Sequence, residues 1–237
     1  MKAAGVFVGL ITCPPGRHRP FLEWHDGDHR PENVGQIPHM FHSARWIAPP
    51  ESVPCREFGP DSPVGEAGEY LLTYWSTAEP QRLRGDMFAL ADKLRALGRL
   101  QPMGRDFRIT WRAYLRPVQG YSDPGLGLSP DAVPLVPHDG LVVTVGRAPD
   151  DGGQWSAEYD RAILPSLLAS GSVLAALTLT AASPSEAAPR LFVHLHYTRG
   201  NPVEAQQAIR AAVGAKPEID YRGAYVPQHW SQPQFFR

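Results

Sequence analysis

Apolar and polar residues along this chain alternate with a period of two, then near 3.6, in an order that recurs. Residues 5–11 (GVFVGLI) are β-branched and apolar and end at CPPGRHRP, which predicts a first strand. Residues 20–36 have helical spacing, and Pro31 predicts one helix ending near His29 and Arg30, then a short turn opened by the proline. A strand is predicted over 40–48, a long loop over 49–68 and a strand over 69–76. Leu83, Met87, Ala91, Leu94 and Leu97 mark a helix over 80–98 with Gly98 as its stop, and 107–115 reads as a strand. Residues 120–140 are rich in Gly and Pro and have little capacity for regular structure. The order then returns: strand 140–148, helix 155–171 broken by Pro165, strands 173–182 and 190–197, helix 201–214, strand 219–227.

The two halves match in residues as well as in order. TrpHisAspGlyAspHisArgPro (24–31) aligns with GluTyrAspArgAlaIleLeuPro (158–165), and EYLLTYWSTAEP (69–80) with RLFVHLHYTRGNP (190–202). Self-similarity over half the chain predicts two β-α-β-β-α-β, ferredoxin-like units: 1–118, a connector 119–139, and 140–237. Each unit leaves one sheet face bare because both helices cover the other. The expected fold is α+β, the two bare faces meeting as a barrel with a cavity between the sheets. The first, histidine-rich unit is the expected active one.

Composition narrows the function. The chain has 237 residues, 43% of them hydrophobic, and a net charge of -1, without the basic face of a nucleic-acid binder. No apolar run approaches the roughly 20 residues of a membrane span. Cys13 and Cys55 have neither metal spacing nor disulfide density, which points to a reducing cytoplasm. No cofactor fingerprint is present: no Gly-rich phosphate loop, no CxxC, no haem-attachment motif. A small-molecule partner is therefore expected, with no nucleic acid and no membrane. A fused pair already covers its own sheets, so a monomer is plausible and a further homodimer stays open.

His25, His29, His39 and His42 fall close together with Asp26, Asp28 and Glu32. His25 and His29 share a helix face, and Asp26 three residues before His29 is placed to orient an imidazole for general acid–base work. A solvated helix face is the plainer alternative, but repeat two has Ile163 at the position of His29, which argues that this position faces inward. A metal site from His25, His29 and Glu32 or His42 is a further alternative, weakened by Pro31. In RLFVHLHY the aliphatic face is expected under the helices, so His194 and His196 should look into the barrel with Tyr70 and Tyr74 of the matching strand. Strict alternation in FRITWRAYL sets Arg108, Thr110, Arg112 and Tyr114 on one face. An inward Arg112 suits a carboxylate or enolate oxygen, a wet sheet edge being its alternative.

The stretch PFLEWHDGDHRPENVGQIPHMFHSARW resembles the EthD-like proteins of the dimeric α+β barrel superfamily through Trp24, Asp26, His29, Pro31 and Ala44-Arg45-Trp46; repeat two keeps only Asp160 and Pro165. The resemblance implies a cofactor-independent lyase, isomerase or cyclase acting on a small aromatic or polyketide-like carbonyl compound. His29 is then the acid/base, Asp26 its orienter, with His25 beside it and His42, His194, His196 or Arg112 at the developing enolate. Trp46, Tyr70 and Tyr74 wall the ring system. An oxygenase of the same superfamily, cofactor-free or metal-dependent, and a non-catalytic binder are the other readings.

Overall fold

The computed structural model describes residues 2–64, 68–101, 103–149, 154–181, 191–214 and 218–228; the expected strand ends at 182 and 190 lie outside them. The first half runs β1 (Gly5–Thr12), α1 (His18–Trp24), a π turn (His25–His29), α2 (Arg30–Gln36), β2 (Met40–Ile47), β3 (Glu57–Phe58), β4 (Tyr70–Ser76), α3 (Pro80–Ala96) and β5 (Arg108–Ser122). The second runs β6 (Gly140–Arg147), α4 (Gln154–Glu158), a π turn (Tyr159–Ile163), α5 (Leu164–Ala169), β7 (Val173–Ala181), β8 (Leu191–Thr198), α6 (Pro202–Val213) and β9 (Glu218–Pro227). Among the described residues no helix is long and apolar enough to cross a membrane.

The strands form one antiparallel sheet in the order β2-β4-β1-β5-β7-β8-β6-β9, β3 flanking β9, and β2 also pairs with β9, which closes it. The two junctions are equivalent: β5 runs from β1 onto β7 as β9 runs from β6 onto β2. A closed sheet leaves few unpaired edges. Two ferredoxin-like halves thus make one barrel within one chain.

Inward-facing side chains from both halves, among them Val8, Leu10, Leu71, Val143, Leu177 and Leu195, form one apolar cluster. Phe7, Ile11, Leu72 and Tyr74 point outward instead and pack against Phe21, Leu22, Leu83 and Leu94 of the first helix layer. Val142, Phe192 and Ala224 do the same beneath the second.

Three expectations change. The helix does not end before Pro31 or break at Pro165. In each half a π turn carries the chain through: the Arg30 amide donates to His25 O, and the Leu164 amide to Tyr159 O. The widened turn relieves the ring-against-carbonyl clash that proline causes in a regular helix. The connector is not wholly irregular, because β5 extends through Ser122 to reach β7 and single helical turns follow at Pro124–Leu126 and Pro130–Leu135. Within the 49–68 loop lie a helical turn, Pro50–Cys55, and β3.

Candidate active site

The π turn sets the chemistry. It carries His25 and Asp26 inward, where both are buried, opposite Arg45 on β2 and Tyr74 on β4. Asp26 Oδ1 accepts from Arg45 Nε at 3.0 Å and from His25 Nδ1 at 3.0 Å, and Oδ2 accepts from Arg45 Nη2. Burial alone would raise the Asp26 carboxyl, but the hydrogen bonds and charges of His25 and Arg45 hold it well below the usual carboxylate range. An ionised Asp26 requires the His25 proton on Nδ1, so Nε2 accepts from the Tyr74 hydroxyl at 3.1 Å. The result is a buried relay, Arg45–Asp26–His25–Tyr74. Burial pushes His25 down, only partly offset by Asp26, and pushes the Tyr74 phenol up, so both are neutral at pH 7.

His29 belongs to a different arrangement. Its ring lies on Trp24 at 4.5 Å and 17°. Asn33 Nδ2 donates to His29 O at 2.7 Å and sits 3.3 Å from Nε2, while Nδ1 is buried without a partner. Burial, with the charge of His25, pushes its pKa down to about 3. Asp26 therefore orients His25 and not His29, because residues one apart meet here while the π turn carries His29 past the carboxylate.

These groups open on a cavity of about 520 Å³ between the helices and the outer sheet face. Its floor is Phe7, Ile11, Leu72 and Ile109, and its walls are Phe21, Trp24, His25 and His29 on one side and Met87, Phe88 and Ala91 on the other. Tyr74, Tyr114 and Arg112 line it as well. Strict alternation along β5 fails at Thr110, an extra residue between Ile109 (opposite Ile11) and Trp111 (opposite Leu10). This β-bulge puts Ile109 and Arg112 on the same face and turns Trp111 inward.

The other expected residues lie elsewhere. Tyr70 is buried beside Phe21, its hydroxyl 2.9 Å from His18 Nδ1. Trp46 is inside the barrel, edge-on to Tyr197 at 6.1 Å. His42 shares that inward face, opposite Trp75, and bonds the Pro134 backbone. His194 and His196 do not look into the barrel. Val193, Leu195 and Tyr197 take the inward face, and the histidines lie under the second helix layer, His194 stacked on Tyr159 at 4.1 Å. Alternation shows which residues share a face, not which face meets the other sheet. Among the described residues no three His, Cys, Asp or Glu side chains converge as a metal site. Arg45, named above only within the Ala44-Arg45-Trp46 resemblance, and Asn33, Phe88 and Tyr114 have no predicted role in the sequence; a lone arginine in the apolar run Ala44–Ala48 is the available signal for Arg45.

The second half repeats the pair with its members exchanged. Tyr159 stands at the position of His25 and His196 at that of Tyr74, with Tyr159 Oη and His196 Nε2 2.6 Å apart. Thr178, opposite His194, takes the place of Arg45, opposite Leu72. Arg222 there is buried and donates to Thr144 Oγ1 at 3.3 Å and to both carboxylate oxygens of Glu57 at 3.2 and 3.0 Å. Glu57→Gln is expected to lower stability by about 2 kcal/mol in urea unfolding, because a buried guanidinium loses its counter-charge. Adding Arg222→Met should recover part of the loss.

No family model matches the chain, and no curated protein sequence matches it. Solved structures do match. A protein assigned as a chlorite dismutase, TA0507, superposes with a TM-score of 0.55 at 13% identity, over 97% of this chain and 96% of its own. An anthrone oxidase-like protein gives 0.51 at 13% identity over 97% and 92%. A haem-bound DypB variant from Rhodococcus jostii RHA1 gives 0.57 at 9% identity over 96% and 94%. The fold is that of the dimeric α+β barrels. At such identities the likeness establishes the architecture and does not select a branch such as the EthD-like proteins.

Proposed function

We propose that this chain is an EthD-like enzyme that moves a proton on a small aromatic or polyketide-like carbonyl compound, as a lyase, isomerase or cyclase. The observation that carries the reading is the Asp26–His25–Tyr74 relay ending at an aromatic cavity. A buried, neutral imidazole held in one tautomer by an ionised carboxylate is a competent base at neutral pH. Tyr74 turns its hydroxyl to the substrate carbonyl, which frees His25 Nε2. That nitrogen takes the proton from the carbon next to the carbonyl, and the electron pair moves to the oxygen, held by the Tyr74 O–H. Asp26 stabilises the imidazolium. Return of the proton to another carbon gives isomerisation; loss of a neighbouring leaving group gives elimination.

The haem of the DypB neighbour invites a test of fit. A haem iron takes an imidazole or thiolate facing an open slot. Both ring nitrogens of His25 are engaged, His29 Nε2 faces Asn33, and His29 Nδ1 is buried without a partner. The one unpartnered nitrogen, His29 Nδ1, is buried in a ring stacked flat on Trp24 and not set facing an open slot, so this donor set does not fit haem and no step runs through one.

The test is deuterium exchange. Incubated in D2O with a panel of aryl ketones and aryl 1,3-diketones, the protein is expected to exchange the protons next to the carbonyl faster than buffer, at the same rate under argon as in air. Exchange no faster than buffer across the panel would remove the proposal, and exchange that needs oxygen would move it to the oxygenase reading.

A further inference from the structure

Internal symmetry relates the cavity's Arg112 to a buried arginine of the second half. Across β1, Arg112 pairs with Gly9 and Gly9 with Leu72; across β6, Arg222 pairs with Thr144 and Thr144 with His194. Arg112 and Arg222 therefore hold equivalent positions on equivalent outward faces.

Two groups hold Arg222, the Thr144 hydroxyl and the Glu57 carboxylate. The first half lacks both. Gly9 replaces the threonine, and the Phe7 ring lies over it, within 2.8 Å of where a Cβ would stand. Glu57 reaches Arg222 as its cross-strand partner from β3, outside β9; the strands paired with β5 are β1 and β7, and β7 pairs only from Leu115 onward. No strand brings a carboxylate to Arg112 in the first half as β3 does to Arg222 in the second. Among the described residues Arg112 has no acidic partner, and its guanidinium lies over the Phe88 ring at 5.5 Å, on the cavity wall. Arg95, the cavity's other arginine, is already paired with Asp92.

We infer that Arg112 anchors a ligand carboxylate, taking from the ligand the charge that Glu57 gives Arg222, so that the cavity's ligands are aromatic carboxylates. This rests on the proposed reading of the cavity as the substrate site and names its substrate class. Guanidinium and carboxylate match as a two-bond fork, and Phe88 supplies a ring face beside the charge. Two strand spacings, about 10 Å, separate the backbone of Arg112 from that of β4, which carries Tyr74. A ligand of two fused rings spans that gap with its carboxylate at Arg112 and its other end at the relay.

Isothermal titration calorimetry with 2-naphthoate and its neutral isostere 2-naphthamide tests the assignment. The wild type is expected to bind the carboxylate at least about tenfold more tightly, the range of a charge-assisted hydrogen bond. Arg112→Gln should bring the ratio near one by weakening the carboxylate alone, with unchanged melting because Arg112 faces solvent. Arg84→Gln removes the other cation on Phe88, which does not line the cavity, and should leave the ratio intact. Tyr74→Phe should also keep it, so the anchor stands even where proton transfer fails. Equal binding of the two probes by wild type, no binding of either, or a preference that survives Arg112→Gln overturns the inference.

Discussion

Asp26→Asn is expected to cost about 3–5 kcal/mol of stability at neutral pH, the range for removing one partner of a buried ion pair. The substitution keeps shape and one acceptor but sets an amide N–H donor against Arg45 Nη2, so the loss reports the charge together with the second acceptor. Arg45 is almost fully buried and its Nη1 already lacks a partner, so without Asp26 its charge has nothing opposite it. The effect has a definite pH dependence. The Asp26 pKa is depressed in the folded chain, so its contribution is complete above the unfolded value of about 4 and is lost as pH falls through the acid range below it. The gap in melting temperature between wild type and Asp26→Asn should thus be widest at pH 7 and shrink at pH 3. A gap that stays constant with pH would mean the carboxylate charge is not what holds the helix to β2. Asp26→Leu with Arg45→Met should recover part of the loss, since an apolar pair of similar volume removes both desolvation penalties while His25 Nδ1 stays without its acceptor.

The repeat and the element order were legible because they rest on local rules. Alternation in GVFVGLI and EYLLTYWS, the Gly98 stop and the paired prolines Pro31 and Pro165 each act within a few residues. Even the register of the repeat is readable: the two π turns start at His25 and Tyr159, which correspond when 24–31 is set against 158–165. What was not legible depends on partners far along the chain. Nothing local in RLFVHLHY says that Val193, Leu195 and Tyr197 meet the other sheet while His194 meets a helix. The bulge at Thr110 reverses the faces of β5 beyond it, and only pairing with Leu10 and Ile11 reveals it. Proline read as a helix stop is correct for a regular helix and fails where a π turn widens the passage. Histidines close in sequence read as one cluster; the fold sends His25 to Asp26, His29 to Trp24 and His42 to the barrel side.

The exchanged pair in the second half separates structural from chemical roles. Tyr159 and His196 preserve a buried tyrosine–histidine contact, so that contact serves packing in any half. What the first half adds is an ionised carboxylate on the far side of the imidazole and an aromatic cavity next to the phenol.

That contrast sets the strongest expectation for activity. His25→Gln and Tyr74→Phe should each lower the deuterium-exchange rate by about 10²–10⁴-fold, the span of a positioned acid or base. Their stability should fall by only about 1–3 kcal/mol, the cost of leaving one buried group unpaired. His29→Leu should change the rate less than about tenfold, since its ring packs on Trp24 and has no carboxylate behind it. Because burial depresses the His25 pKa, the rate should stay flat as pH is lowered past about 6.5 and drop only further into acid, where the base is protonated. A rate that halves near the pKa of a free imidazole, or one abolished by His29→Leu and spared by His25→Gln, would hand the base role to the other histidine. In that case the Asp26 charge would serve the helix alone, and Asp26→Asn variants that still fold should keep their exchange activity.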